Sequence, residues 1–222
     1  MRDIFILGTT EYAFMLHTMI EQEKEFHVIG HTCSAEQVEN NRNVCTKHFT
    51  ELFPFEELGT IINQVNILNA IGYSRMNETR KRMSFECINR GYSLVNYISK
   101  RAILLSELKG TGNIVFPGAY IGTNIQIGDG NVFYTGSVLT HDIEVGEFNF
   151  FAANSTIGGV VTIGSNCFIG MGATIKNRIE IADYTLIGAG AYVDHSSNKE
   201  DVIVPCRSVT LEKKSYEISL TH

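Results

Sequence analysis

From Val115 onward an aliphatic or phenylalanine side chain returns at every sixth residue for fourteen consecutive positions: Val115, Ile121, Ile127, Phe133, Leu139, Val145, Phe151, Ile157, Ile163, Ile169, Ile175, Ile181, Ile187 and Val193. With 44% of the chain hydrophobic, chance gives such a run odds on the order of 10⁻⁵. Six residues is too short for a helical repeat and suits one short strand plus a turn, so three hexads wrapping a triangle make an 18-residue coil of parallel strands. The recurring apolar residue then points inward. The next position is often glycine (122, 128, 146, 158, 164, 170 and 188), which is expected to relax the corner. Four residues after the apolar position a small side chain is common: Ala119, Ser137, Ser155, Cys167, Ala173, Thr185 and Ala191. An antiparallel sandwich would show irregular spacing and hairpins of variable length, which this register lacks.

The first half has a different rhythm. "DIFILG" (3 to 8) reads as a buried strand ending in glycine, "TEYAFMLHTMIEQE" (10 to 23) has helical spacing, and "FHVIGHT" (26 to 32) is a second strand. "VNILNAIGY" (65 to 73) gives another strand, followed by the helix-like "MNETRKRMSFECINRG" closed by Gly91. Together they predict a small parallel α/β domain whose ligands lie at the carboxyl ends of the strands, around Gly8, Thr9, His31, Gly72 and Tyr73. The expected division is an α/β domain over 1–105, a β-helix over 106–205 and a tail over 206–222.

Charge and cysteine content exclude several classes. A formal charge of −6 with no Lys/Arg stripe leaves nothing to attract nucleic acid. Neither a cleavable leader nor an apolar run of membrane-spanning length is present, so a cytoplasmic protein without a membrane span is expected. The five cysteines are scattered without CxxC spacing, which argues against a disulfide framework and a zinc knuckle. His141 and His195 are the only repeat histidines before the tail, too few to converge on a metal, so no metal is expected.

One stretch of the repeat stands out chemically: "TGSVLTHDIEVG", where His141 and Asp142 follow the inward Leu139. If no residue is inserted between Val115 and Val193, positions 18 apart stack about 4.8 Å from one another. His141, Gly159, Asn177 and His195 then form one column. His195, three coils away at about 14 Å, is too distant to share a reaction with His141.

The hexads resemble those of the hexapeptide-repeat acyltransferases. With "AIGYSRMNETR" (70 to 80), "TGSVLTHDIEVG" and "GGVVTIGSNCFIGMGATI", the chain as a whole resembles nucleotide-sugar acyltransferases of the NeuD/PglD type. The resemblance implies a left-handed parallel β-helix behind a Rossmann-like α/β domain. It also implies a homotrimer with acetyl-CoA between subunits and a nucleotide-linked amino sugar on the amino-terminal domain. It casts His141 as general base, Asp142 as its orienting acid and the Gly159 N–H as the group that holds the thioester oxygen. Imidazole, with an unperturbed pKa near about 6.5, can take the amine proton at neutral pH; a preorganised N–H contributes about 3 kcal/mol to the oxyanion. By the same resemblance Met171, Gly172, Ala173 and Gly190 are expected beside pantetheine, and Lys176, Asn177 and Arg178 beside the phosphates.

The chain departs from that family's pattern. Phe150 stands where many members carry a second histidine, and Tyr134 where many have asparagine, so both are expected to shape an unusual acceptor pocket. "HTC" (31 to 33) replaces the acids that commonly end the second strand, and the glycine-rich loop is reduced to "GTTEY". The expected activity is acetyl-CoA-dependent N-acetylation of a nucleotide-linked 4-amino-4,6-dideoxy sugar, with O-acetylation of a sialic-acid-like or other sugar hydroxyl as the alternative. A non-enzymatic β-helical scaffold would have no use for a His-Asp pair beside a stacked glycine.

Overall fold

In the computed structural model, which describes residues 1–40, 51–206, 210 and 212, two architectures meet. The amino-terminal part is a parallel five-stranded sheet of order β3-β2-β1-β4-β5. Its strands are β1 (Arg2–Leu7), β2 (Phe26–Cys33), β3 (Leu52–Pro54), β4 (Asn66–Asn69) and β5 (Ser93–Leu94). Helices α1 (Glu11–Glu23) and α2 (Glu78–Asn89) follow β1 and β4. The sequence places β1, α1, β2, β4 and α2 correctly. The three-residue edge strand β3 escapes it, being too short for any periodicity to register.

From Tyr97 to Ile203 the chain winds as a triangular coil of parallel strands. Face one stacks Ile114–Val115, Val132–Phe133, Phe150–Phe151, Phe168–Ile169 and Leu186–Ile187 between the terminal strands Tyr97–Ile98 and Val202–Ile203. Face two stacks Ile103–Leu104, Tyr120–Thr123, Val138–His141, Thr156–Ile157, Thr174–Ile175 and Tyr192–Val193. Face three stacks Gln126–Ile127, Glu144–Val145, Thr162–Ile163 and Glu180–Ile181. Each hexad places its apolar residue in one continuous core, where Phe133, Leu139, Phe151, Ile157 and Ile187 are fully buried.

The ladder begins ahead of residue 106. Ile98 pairs with Val115 and Leu104 with Ile121, one residue short of the full turn, so counting back from Val115 in sixes misses this first coil. From Tyr120 to Val193 the register holds at 18 throughout. Of the tail expected at 206–222, nearly all lies outside the described residues.

The glycines after the apolar positions have a different reason from the one expected. None has a positive φ; that demand falls two residues later, on Asn124, Gly130, Gly136, Asp142, Phe148, Asn154, Val160, Asn166, Gly172, Arg178, Tyr184 and Gly190. The early glycines are required because successive coils touch: a Cβ on Gly128 would stand 2.8 Å from the Gly146 carbonyl, and one on Gly164 2.7 Å from the Asp183 nitrogen. Inside the corner between faces three and one, Asn113, Asn131 and Asn149 form a ladder. Each side-chain oxygen accepts the backbone N–H of the residue one coil on, at 2.7–2.9 Å.

The α/β part covers face one. Its outward column, Ile114, Val132 and Phe150, packs with Leu16 and Ile20 of α1 and Ile4 and Ile6 of β1. Arg80 of α2 is completely buried at this seam. Its guanidinium donates to the carbonyls of Gly72 (3.0 Å), Gly130 (3.1 Å), Phe148 (3.2 Å) and Asn149 (3.1 Å). At the far end of α1, the Glu23 carboxylate accepts from Ser99 Oγ (2.6 Å), Tyr97 Oη (3.0 Å) and the Lys100 N–H (3.1 Å). Among the described residues no further element packs over faces two and three.

Candidate active site

His141 ends its face-two strand at the corner before face three, and the turn that follows places Asp142 at φ 53°. This aims the carboxylate back, so that Asp142 Oδ2 lies 2.8 Å from His141 Nδ1. An ionised carboxylate only accepts, so Nδ1 carries the proton and the neutral ring keeps its lone pair on Nε2. Among the described residues Nε2 has no partner. The second oxygen, Oδ1, accepts from the side-chain Nδ2–H of Asn124 at 2.5 Å. That bond and the one from His141 hold the Asp142 carboxyl below its usual range.

The stacked column is realised. A Cβ on Gly159 would collide with the His141 ring, at Cε1 and Nε2, so only glycine lets the imidazole lie over the next coil. Gly159 O accepts from the Arg178 N–H (3.0 Å), and His141 O accepts from the Val160 N–H (3.1 Å). The Gly159 N–H has no acceptor among the described residues. His195 also pairs with an acid, Asp194 (2.9 Å), but lies farther along the coil.

Several of the other expected residues gather at the opposite edge of face two. A cavity of about 460 Å³ between the α/β part and the coil is lined by Gly72, Tyr73, Tyr134, Phe150 and Met171, with Tyr12 and Phe168 among their neighbours. Its side chains are aromatic or aliphatic, and the Tyr134 hydroxyl points to Met15 Sδ at 3.6 Å. Tyr134, ahead of the turn at 135–136, thus stands at the corner between faces one and two, and His141 ends the strand that crosses face two to the next corner. The residues expected around CoA divide likewise. Met171, Gly172 and Gly190 lie at the aromatic edge, Lys176, Asn177 and Arg178 at the His141 edge, and the Ala173 side chain is buried in the coil core.

A second cavity, of about 480 Å³, opens at the carboxyl ends of β1 and β2 and holds Gly8, Thr9, Thr10, Thr32, Ser34 and Arg82. The expectation for His31 is corrected. It is fully buried, with Nδ1 2.7 Å from Gly8 O and Nε2 3.0 Å from His17 Nδ1; it shapes the Gly8 turn and lines neither cavity.

Sequence reading missed Asn124, Tyr12 and Phe168. Asn124 was findable, since it precedes Asp142 by one coil, and so was Phe168, one coil after Phe150. Tyr12 offers no such signal, because its place depends on how α1 docks on face one.

Comparison with known proteins bears on this arrangement. Residues 160–195 match the model of the bacterial transferase hexapeptide (six repeats). The coil is a hexapeptide-repeat β-helix. No curated protein matches the chain. The acetyltransferase domain of PglB from Neisseria gonorrhoeae superposes with a TM-score of 0.74 at 18% identity, over 92% of this chain and 97% of that one. PerB from Caulobacter crescentus, solved with CoA and GDP-perosamine, gives 0.70 at 21% identity over 91% and 93%. WeeI from Acinetobacter baumannii gives 0.63 at 16% identity over 90% and 94%. At these identities the likeness is one of fold: a Rossmann-like α/β part followed by a left-handed hexapeptide coil. Among the described residues no helix is long and apolar enough to cross a membrane, and no group of three or more His, Cys, Asp or Glu could hold a metal ion.

Proposed function

We propose that the protein is an acetyl-CoA-dependent N-acetyltransferase acting on the amino group of a nucleotide-linked 4-amino-4,6-dideoxy sugar, with His141 as general base. The observation that carries this reading is the imidazole seated on Gly159, with Nδ1 engaged by Asp142 and Nε2 open. In the reaction the sugar amine attacks the thioester carbonyl carbon and a C–N bond forms. The amine proton passes to Nε2, Asp142 stabilises the resulting imidazolium, and the charge on the carbonyl oxygen is met by the Gly159 N–H. Collapse breaks the C–S bond, and the thiolate takes the proton back from the ring. Similar folds support the two substrates: PerB is described with CoA and GDP-perosamine, the PglB domain with acetyl coenzyme A, and a histidine-to-alanine mutant of the perosamine enzyme was solved in the same complex.

The reading includes a homotrimer with each active site between two subunits. What supports it is the separation of the aromatic cavity from His141 across face two, which a neighbouring copy packed on that face would bridge. The outward column of face two includes the exposed apolar residues Ile103 and Tyr192, whereas face three presents Gln126, Glu144 and Glu180.

The test is a screen of UDP-, dTDP- and GDP-linked amino sugars with acetyl-CoA, following thiol release. At least one amine acceptor should turn over, and His141→Ala should lose roughly 10²-fold or more in kcat. Turnover of hydroxyl acceptors alone would replace N- by O-acetylation, and an alanine variant within about tenfold of wild type would remove the base assignment.

A further inference from the structure

Each hexad needs one residue in the left-handed region, and at the corner between faces two and three those residues are Asn124, Asp142, Val160 and Arg178, with φ of 56°, 53°, 60° and 63°. Val160 is out of place. A β-branched side chain is strongly disfavoured there, because its Cγ atoms crowd the backbone, while asparagine and glycine are tolerated. It is the only β-branched residue with a positive φ among the described residues. Nor does burial compensate, for Val160 is 48% exposed while Val161, next to it, points into the core. The strained residue directly follows Gly159, and its N–H is fixed to the carbonyl of His141. Strain of this kind persists where the surroundings enforce it, and it concentrates at working sites.

Building on the reading above, we infer that Val160 is a specificity-determining residue whose isopropyl group packs against the apolar thioester end of the CoA pantetheine arm. The placement fits that ligand. A thioester whose oxygen reaches the Gly159 N–H brings its methylene and sulfur atoms alongside the next residue of the corner, and those atoms gain from apolar contact. A hydrogen-bonding side chain at 160 would suit the backbone better and the thioester end worse.

Val160→Asn separates the two effects. Relief of strain should raise Tm by about 2–4 °C, while the affinity for CoA, measured by calorimetry on the intact protein, should fall roughly tenfold, the low end for loss of one apolar contact. Val160→Ile, still β-branched and apolar, should leave both within error of wild type. A Tm gain with CoA affinity unchanged would overturn the inference, as would the absence of any Tm gain. A change of assembly state in the asparagine variant would give Val160 to a subunit contact and overturn it too. If the wild-type protein binds no CoA, the reading in the preceding section falls first and takes this one with it.

Discussion

Gly158 and Gly159 are adjacent in sequence, yet alanine at each should fail in opposite ways. Neither has a positive φ, so alanine is not excluded by backbone conformation at either position. At 159 the atoms nearest the new methyl all belong to the His141 ring, whose side chain is 55% exposed and free to swing outward. The ring has to withdraw by about 1 Å to reach ordinary contact distance, and a shift of that size can cost roughly 10² in rate. Impaired access to the Gly159 N–H adds to this, so kcat should fall about 10²–10³-fold while Tm stays within about 2 °C of wild type. At 158 the methyl would stand 2.6 Å from the Asn177 nitrogen and 2.9 Å from the Ile175 carbonyl. Both belong to the neighbouring coil, where the Ile175 carbonyl already accepts the Gly158 N–H. Forcing these coils apart should cost about 2 kcal/mol or more, lowering Tm by roughly 4–8 °C. Thermal unfolding by circular dichroism and thiol release distinguish the cases. Before an acceptor is known, the His141 ring resonance should move in Gly159→Ala. Retention of kcat within twofold in Gly159→Ala, or an equal loss of stability in both variants, would refute the stacking argument.

Two further predictions concern the seam between the α/β part and the coil. Arg80→Met removes the donor shared by the Gly72, Gly130, Phe148 and Asn149 carbonyls and leaves them without it in a dry seam; a cost of about 3–5 kcal/mol, read as a Tm drop of roughly 6–20 °C, is expected, and a drop under about 2 °C would show that water replaces the guanidinium. Burial pushes the Glu23 carboxyl up, but hydrogen bonds from Ser99, the Lys100 N–H and Tyr97 outweigh it and set the group below its ordinary value. A depressed folded-state pKa means stability that is present above the unfolded pKa and lost as pH falls through the folded one. Wild-type Tm should therefore fall more steeply than that of Glu23→Gln between about pH 5 and pH 3, and parallel curves would dismiss this tie.

The coil was legible because inward positions repeat without interruption and hydrophobicity reports them directly. Its corners were less so. A glycine in sequence does not say whether it serves dihedral freedom or close approach, and here Gly128 and Gly164 serve the latter. The first coil hid behind one missing residue. The His141–Asp142–Gly159 relation followed from counting in eighteens, and Asn124 needed the same count in the other direction. His31 misled because a polar residue near a strand end reads alike whether it faces a crevice or, as here, bonds inward to Gly8 and His17. The separation of Tyr134 from His141 could not be read locally: they are near neighbours in sequence, and only the turn and the face-two strand between them send them to different edges.

The register of eighteen also sets which insertions and deletions such a chain tolerates. Loss or gain of six residues within the coil would keep every Val, Ile, Leu and Phe pointing inward, so the core would not register the change. Every column downstream would nevertheless turn by one face, carrying Gly159 away from His141 and the outward Phe168 away from the α/β part. Whole coils can be exchanged, lengthening or shortening the molecule with its chemistry in line. A single hexad cannot, and selection on length in this half of the protein acts through the outer surface alone.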